Sequence, residues 1–243
     1  MNWKHSIVSA MLLIAIWHVA IQITGVPSFI LPPPLKVAKA LWFYREIIAQ
    51  NALITISEIL LGLLIGTVLG IGTALQLAAS KTARALLRPI LVFSQAIPVF
   101  ALAPILVLWF GFGIWSKVIM AVLIIYFPVT SAFLDGLIST PVGYLDLART
   151  MGATRLKTLF HVRFRAALPS LGSGLRLAAV YAPIGAVIGE LVGASKGLGY
   201  LMLLANGRVK IDLMFASLIV LAVLTVCLHL TIDALAKRLT KDY

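Results

Sequence analysis

The sequence is short of charge, and shortest of acid. Only 12% of its 243 residues are charged, and 8 Asp and Glu stand against 20 Lys and Arg. A soluble domain carries about 25% charged and about 45–50% apolar residues. Here 61% are hydrophobic and the mean hydropathy is +1.07. So little polar surface excludes a globular domain in water and makes lipid the solvent. Cysteine is nearly absent as well. Cys227 stands alone, which excludes an internal disulfide and any CxxC or Cys/His metal cluster, and it reads as a small buried or lipid-facing residue. The pattern G-x-x-x-x-G-K-[ST] is missing, so the chain binds no ATP through a phosphate loop. The net charge of +12 comes with no nucleic-acid motif and no interleaved aromatics, which argues against a nucleic-acid partner. Basic residues collected in cytoplasmic loops account for it.

What the sequence has is long apolar runs. A membrane-crossing helix takes about 20 such residues. Spans are expected at Ile7–Val26, Ile59–Leu77, Leu91–Phe110, Val118–Leu134, Leu171–Val192 and Leu213–Leu230, the second beginning as early as Ala52 with Glu58 inside it. The runs are continuous and lack the alternation of barrel strands. The expected fold is therefore all-α, a polytopic membrane protein of about six helices forming a single transmembrane domain over 1–243. The first run is longer than a signal-peptide core and has no clean small-residue cleavage site, so it reads as an uncleaved helix. With both termini in the cytoplasm, the inner segments hold Lys4, then Lys81, Arg84 and Arg88, then Arg149, Arg155, Lys157, Arg163, Arg165 and Arg176, and finally Lys237, Arg238 and Lys241. The outer segments hold Lys36, Lys39, Arg45, Lys117, Lys196, Arg208 and Lys210. The inner excess favours this orientation.

Smaller features concern packing. Gly62, Gly66 and Gly70 recur every four residues on one helix face, the spacing that lets two membrane helices approach closely. Pro98, Pro104, Pro128 and Pro183 fall inside expected spans, where each removes a backbone donor and can bend its helix. Leu31-Pro32-Pro33-Pro34 sets an extended turn, and an amphipathic interfacial helix is expected over Leu35–Gln50. Asp135 and Asp233 sit at inner span ends, where a salt bridge to Lys or Arg is the plain role. His18 and His229 read as packing or interfacial residues. Glu58 reads as interfacial. Glu190, near the outer end of the fifth span, faces either a translocation path or a neighbouring helix.

The stretch 141–170 differs from its surroundings. It is the longest non-apolar segment between spans, and the charge distribution places it in the cytoplasm. Tyr144–Met151 has helical spacing, Gly152 ends it as a residue able to take positive φ, and a second amphipathic piece follows with Leu156, Leu159 and Phe160 apolar. A short helix, a glycine turn and another short helix beneath a bundle make a docking knob; the alternative is a loop lying on headgroups.

Asp146-Leu147-Ala148-x-x-x-Gly152, followed by Val162, resembles the cytoplasmic signature E-A-A-x-x-x-G…I-x-L-P of ABC importer permeases. Asp replaces Glu, Leu replaces the first Ala, and Phe164-Arg165 stand where Leu-Pro is usual; Leu168-Pro169 follows. Nearly the whole chain is similar to the nitrate, sulfonate and taurine branch of that family. The resemblance is carried by Leu31-Pro32-Pro33-Pro34, by Ile97-Pro98 through Leu108-Trp109-Phe110-Gly111 with Ser116-Lys117, by Ala148-Arg149-Thr150-Met151-Gly152-Ala153, and by Gly193-Ala194-Ser195-x-Gly197-Leu198-Gly199-Tyr200-Leu201. Ser94-Gln95-x-Ile97-Pro98-x-Phe100-Ala101-Leu102-Ala103-Pro104 most resembles members that import pyrimidine precursors of thiamin.

The resemblance implies a type I importer permease in a bacterial inner membrane, working with a second permease copy (identical or not), two ATP-binding subunits and an extracytoplasmic binding protein. ATP and Mg would sit on the partner ATPase, and this chain would hold no cofactor, no metal and no catalytic residue. Asp146, Leu147, Ala148, Arg149, Gly152, Ala153, Arg155, Leu156 and Phe160 become the candidate ATPase-coupling residues, and Glu190, Gln95 and Pro98 candidates for the translocation path. Two rival functions each find some footing in the residues. Gly193-Ala194-Ser195-Lys196-Gly197 fits the serine-hydrolase pattern G-x-S-x-G, but that motif needs a strand before it, and an apolar helix precedes this one. An ion-coupled secondary transporter would show inverted repeats and paired midplane acids, and the sequence displays neither.

Overall fold

A computed structural model describes residues 3–240, and its regular structure there is entirely helical. Lys241, counted above with the basic tail, lies outside the described residues. In chain order the elements are α1 (Trp3–Thr24), α2 (Pro34–Phe43), α3 (Arg45–Ala79), α4 (Lys81–Ser94), a 3-10 turn (Val99–Leu102), α5 (Ala103–Phe110), α6 (Ile114–Ile138), α7 (Val142–Thr150), α8 (Arg155–Lys157), a π segment (Thr158–Arg163), α9 (Phe164–Ala166), α10 (Leu168–Gly193), α11 (Leu198–Gly207) and α12 (Ile211–Leu239). Helices follow from the solvent, because in hydrocarbon each backbone N–H and C=O must find its partner within the segment.

Among the described residues α3, α6, α10 and α12 are long and apolar enough to cross a membrane. The expected third span is not one helix. α4 and the segment Val99–Phe110 meet at 85°, a broken crossing or a re-entrant loop. Pro98 has no N–H to continue α4 and disfavours helical geometry in the residue before it, so the chain opens at 95–98 and restarts with Pro104 in the first turn of α5. α1 offers the shorter apolar stretch Val8–Thr24. Two boundaries also differ from expectation. α3 begins at Arg45, well before Ile59, and Lys81–Ser94 is helical from the cap Ser80, whose Oγ accepts from Ala83 N at 3.2 Å.

The residues group into two compact units, one from the start to Ile54 with Lys196–Ala222, the other Thr55–Ser195 with the chain from Val223 onward. In the first, α2 buries Val37 and Ala40 and exposes Leu35, Trp42 and Phe43, Trp17 stacks on Phe215 with centroids 5.9 Å apart, and Gly197 N donates to Asn51 Oδ1 at 2.8 Å.

In the second unit α6 is the axis, with buried residues along its length from Ser116 to Leu137. Ile125, Val129, Phe133 and Leu137 pack with Ile59 and Leu63 of α3 and with Ala178, Ala182 and Ala186 of α10. Close approach is made by missing side chains. A Cβ on Gly62, Gly66 or Gly70 would lie 2.6, 2.6 or 2.9 Å from side-chain atoms of Ala121, Ile125 or Val129, so the glycine face expected on the second span is the face against α6. From the other side a Cβ on Gly185 would stand 2.7 Å from the Ala121 Cα, a backbone atom with no rotamer to yield. Asp135 pairs with Arg88 at 3.4 Å, and Asp233 with Arg176 at 2.6 Å and Lys237 at 2.7 Å, the salt bridges expected at span ends.

Candidate functional site

The segment from Val142 to Ala167 builds a knob, and each of its turns has a local cause. α7 ends in a Schellman motif: Gly152 takes φ +73°, its N–H bonds to the Arg149 carbonyl at 2.9 Å, and Ala153 N–H bonds to the Ala148 carbonyl at 2.9 Å. Thr154 then caps the next helix, its hydroxyl accepting from Lys157 N at 3.3 Å. The chain therefore leaves one helix and enters another within Gly152-Ala153-Thr154. From Arg155 the helical path continues through the π segment and α9 to Ala167, where it joins α10.

The knob has an anchored side and a free side. Leu159 and Ala167 belong to the main core, Ala148 is buried, and Phe164 meets Phe133 of α6 edge-on with centroids 5.4 Å apart. The free side carries Val142, Tyr144, Leu147, Met151, Leu156 and Phe160, all exposed at 52% or more. Asp146 and Arg149 lie exposed beside them, paired at 2.8 Å, and Arg155 and Lys157 add basic rims. An apolar patch with charged rims on a rigidly rooted knob is a surface made to be covered. Leu145 is half-buried and Ala148 buried, while Met151 is exposed.

The pathway candidates divide. Gln95 and Pro98 lie exposed at the break after α4. Glu190 is enclosed: it is 1% exposed, and its Oε1 accepts from the Thr55 hydroxyl at 2.6 Å. Glu58 lies against Glu190 and is itself 2% exposed, so it is no interfacial residue reaching for headgroups. Lys117 corrects the reading further. It is a buried residue of the first turn of α6, not a loop charge, and its ammonium donates to the carbonyls of Phe112 at 2.6 Å, Gly113 at 3.0 Å and Gly193. Those three bonds use all three of its donors. Both carboxylates act on it through space, and the Gly193 carbonyl puts it at the negative end of the α10 dipole. The paired acids not visible in the sequence thus exist, drawn from α3 and α10, but near the end of α10 rather than its middle.

The sequence alone does not reveal this cluster, because Lys117 reads there as a loop charge. The signal was present: a Lys at the start of one apolar run and Glu residues inside two others, opposite charges too costly in lipid to stay apart. Ser195 follows a helix, as the objection to a hydrolase required.

Compared with known proteins, residues 62–241 match the family described as "Binding-protein-dependent transport system inner membrane component". The chain is 51% identical over 93% of its length, and 92% of the relative's, to a "Probable ABC transporter permease protein" of Haemophilus influenzae. It is 40% identical to the formylaminopyrimidine transport permease protein ThiX of Halalkalibacterium halodurans, over 78% of this chain and 76% of that one. To the taurine transport system permease protein TauC of Escherichia coli it is 29% identical, over 97% and 88% of the two chains. Among solved structures, an inward-facing MetNI methionine ABC transporter chain superposes with a TM-score of 0.70 at 19% identity, covering 81% of this chain and 98% of that one.

Proposed function

This chain belongs to the inner-membrane components of binding-protein-dependent transport systems, and we propose that it forms the pore of an ATP-driven importer for a small flat heterocycle of the pyrimidine kind. That it is a multi-pass ABC permease subunit for small solutes, a transport subunit and not an enzyme, is the premise. The cargo, the ATPase contact and the composition of the pore are the proposal.

The observation that carries the ATPase contact is the exposed apolar face of the knob, Val142 to Phe160, rooted in the core through Leu159 and Phe164. A separate ATP-binding subunit, holding ATP and Mg, docks on that face with Asp146, Leu147, Ala148, Arg149, Gly152, Ala153, Arg155, Leu156 and Phe160 forming or shaping the contact. Movement of the ATPase pair is transmitted as a rigid-body push through Phe164 on Phe133 to α6 and through Ala167 to α10. A second permease copy completes the pore around the break at Gln95 and Pro98. A binding protein delivers solute from outside, with both termini in the cytoplasm.

For the cargo, the relative named for formylaminopyrimidine is 40% identical and the one named for taurine 29%, which favours a ring over a sulfonate. The ion-coupled alternative has less support: Glu58 and Glu190 are sealed among helices rather than set in an open midplane site. The test is uptake of labelled formylaminopyrimidine and labelled taurine in cells with and without this gene. The expected result is pyrimidine uptake that requires the gene, falls when ATP is depleted and survives an uncoupler. Uptake abolished by the uncoupler while ATP is held constant contradicts the ATP-driven reading, and gene-dependent uptake of taurine alone contradicts the cargo.

A further inference from the structure

Two spanning helices, α3 and α10, carry outward stripes of differing chemistry. On α3 the exposed large residues from Leu60 on are Leu60, Leu61, Leu64, Val68 and Leu69, a face fit for acyl chains. On α10 the stripe runs Ser173, Leu177, Tyr181, Ile184 at helical spacing, with Tyr181 40% exposed. α10 extends from 168 to 193, so Tyr181 stands within about 1 Å of its midpoint at 1.5 Å rise per residue.

A tyrosine facing lipid belongs at the headgroup level, where its hydroxyl meets water. At mid-span against hydrocarbon that hydroxyl has neither water nor a partner, which makes its exposure there costly. Tyr126, the mid-span tyrosine of α6, is half-buried and satisfied, donating to Thr73 Oγ1 at 2.9 Å. Tyr181 has no such partner among the described residues. Polar groups in an otherwise apolar wall are how small-molecule sites fix orientation.

We infer that the Ser173–Leu177–Tyr181–Ile184 stripe of α10 lines the solute path, with the Tyr181 hydroxyl bonding, and its ring stacking on, a flat polar solute at mid-membrane. This rests on the permease reading above and adds to it a wall and a binding group.

Replacing Cys227, the sole cysteine, with Ser gives a background for thiol labelling. Tyr181→Cys, Leu177→Cys and, as a lipid-facing control, Leu64→Cys are placed in it. Each is expressed with its ATPase and binding protein in native membrane vesicles and exposed to a charged, membrane-impermeant methanethiosulfonate, which reacts with thiolate in water. The expected result is labelling at Tyr181→Cys at least tenfold faster than at Leu64→Cys, with a several-fold change when the ATPase is trapped with ATP and vanadate. Leu177→Cys reports the same face should Tyr181→Cys not assemble. Labelling at 181 and 177 as slow as at 64 in an assembled complex overturns the inference, and so does ready 181–181 disulfide formation without labelling, which places the stripe between two copies. Failure of the permease reading looks different, because then no ATPase accompanies any variant.

Discussion

Lys117 is the residue on which the second unit is most exposed to damage. Its ammonium is buried with two carboxylates and satisfied by three backbone carbonyls. Removing one partner from a buried ionic group costs about 3–5 kcal/mol, because the charges left behind have neither water nor counter-charge. Lys117→Met is therefore expected to lower the thermal midpoint of the detergent-purified protein sharply, and Lys117→Met with Glu190→Gln to recover part of the loss. A Lys117→Met protein as stable as the wild type would show that the cluster holds nothing together. Thr55→Val, which removes one charge-assisted hydroxyl bond to Glu190, should cost about 1.5–3 kcal/mol in the same assay. Most of this was hidden from sequence reading: pairing three ionisable groups from three apolar runs requires knowing which helix faces meet, and α6, apolar on every side, gives no periodicity from which to read a face.

Among the elements, the glycine positions make a graded prediction. Gly185→Ala places a Cβ 2.7 Å from the backbone of Ala121, which cannot rotate away, and Gly66→Ala places one 2.6 Å from the flexible Ile125 side chain; Gly72 has open space. Thermal midpoints should fall most for Gly185→Ala, less for Gly66→Ala at about 1–3 kcal/mol, and hold or rise for Gly72→Ala. Equal effects at 185 and 72 would contradict the close packing of α10 on α6. Here the sequence was more legible. The four-residue spacing of Gly62, Gly66 and Gly70 marked the right face, and Gly152 marked the turn of the knob, because both signals are local. Pro98 marked a bend but not one of 85°, since the new direction comes from distant packing of Ala103 and Leu106 on Met120. The π segment at Thr158–Arg163 left no local signal at all.

At the scale of the whole molecule, the central claim is that this chain is driven from outside itself through the knob. Leu147 and Leu156 are 59% and 64% exposed, so charging both should leave the bundle intact while making the docking face unfit for an apolar partner. The direct measurement is to purify the tagged chain in mild detergent from its native host, beside a Leu147→Asp, Leu156→Asp variant, and assay what co-elutes. The account predicts an ATP-binding subunit with the wild type, at least tenfold less with the variant, and the same thermal midpoint for both. An ATPase retained in full by the variant, or none recovered with the wild type even after cross-linking, would contradict it.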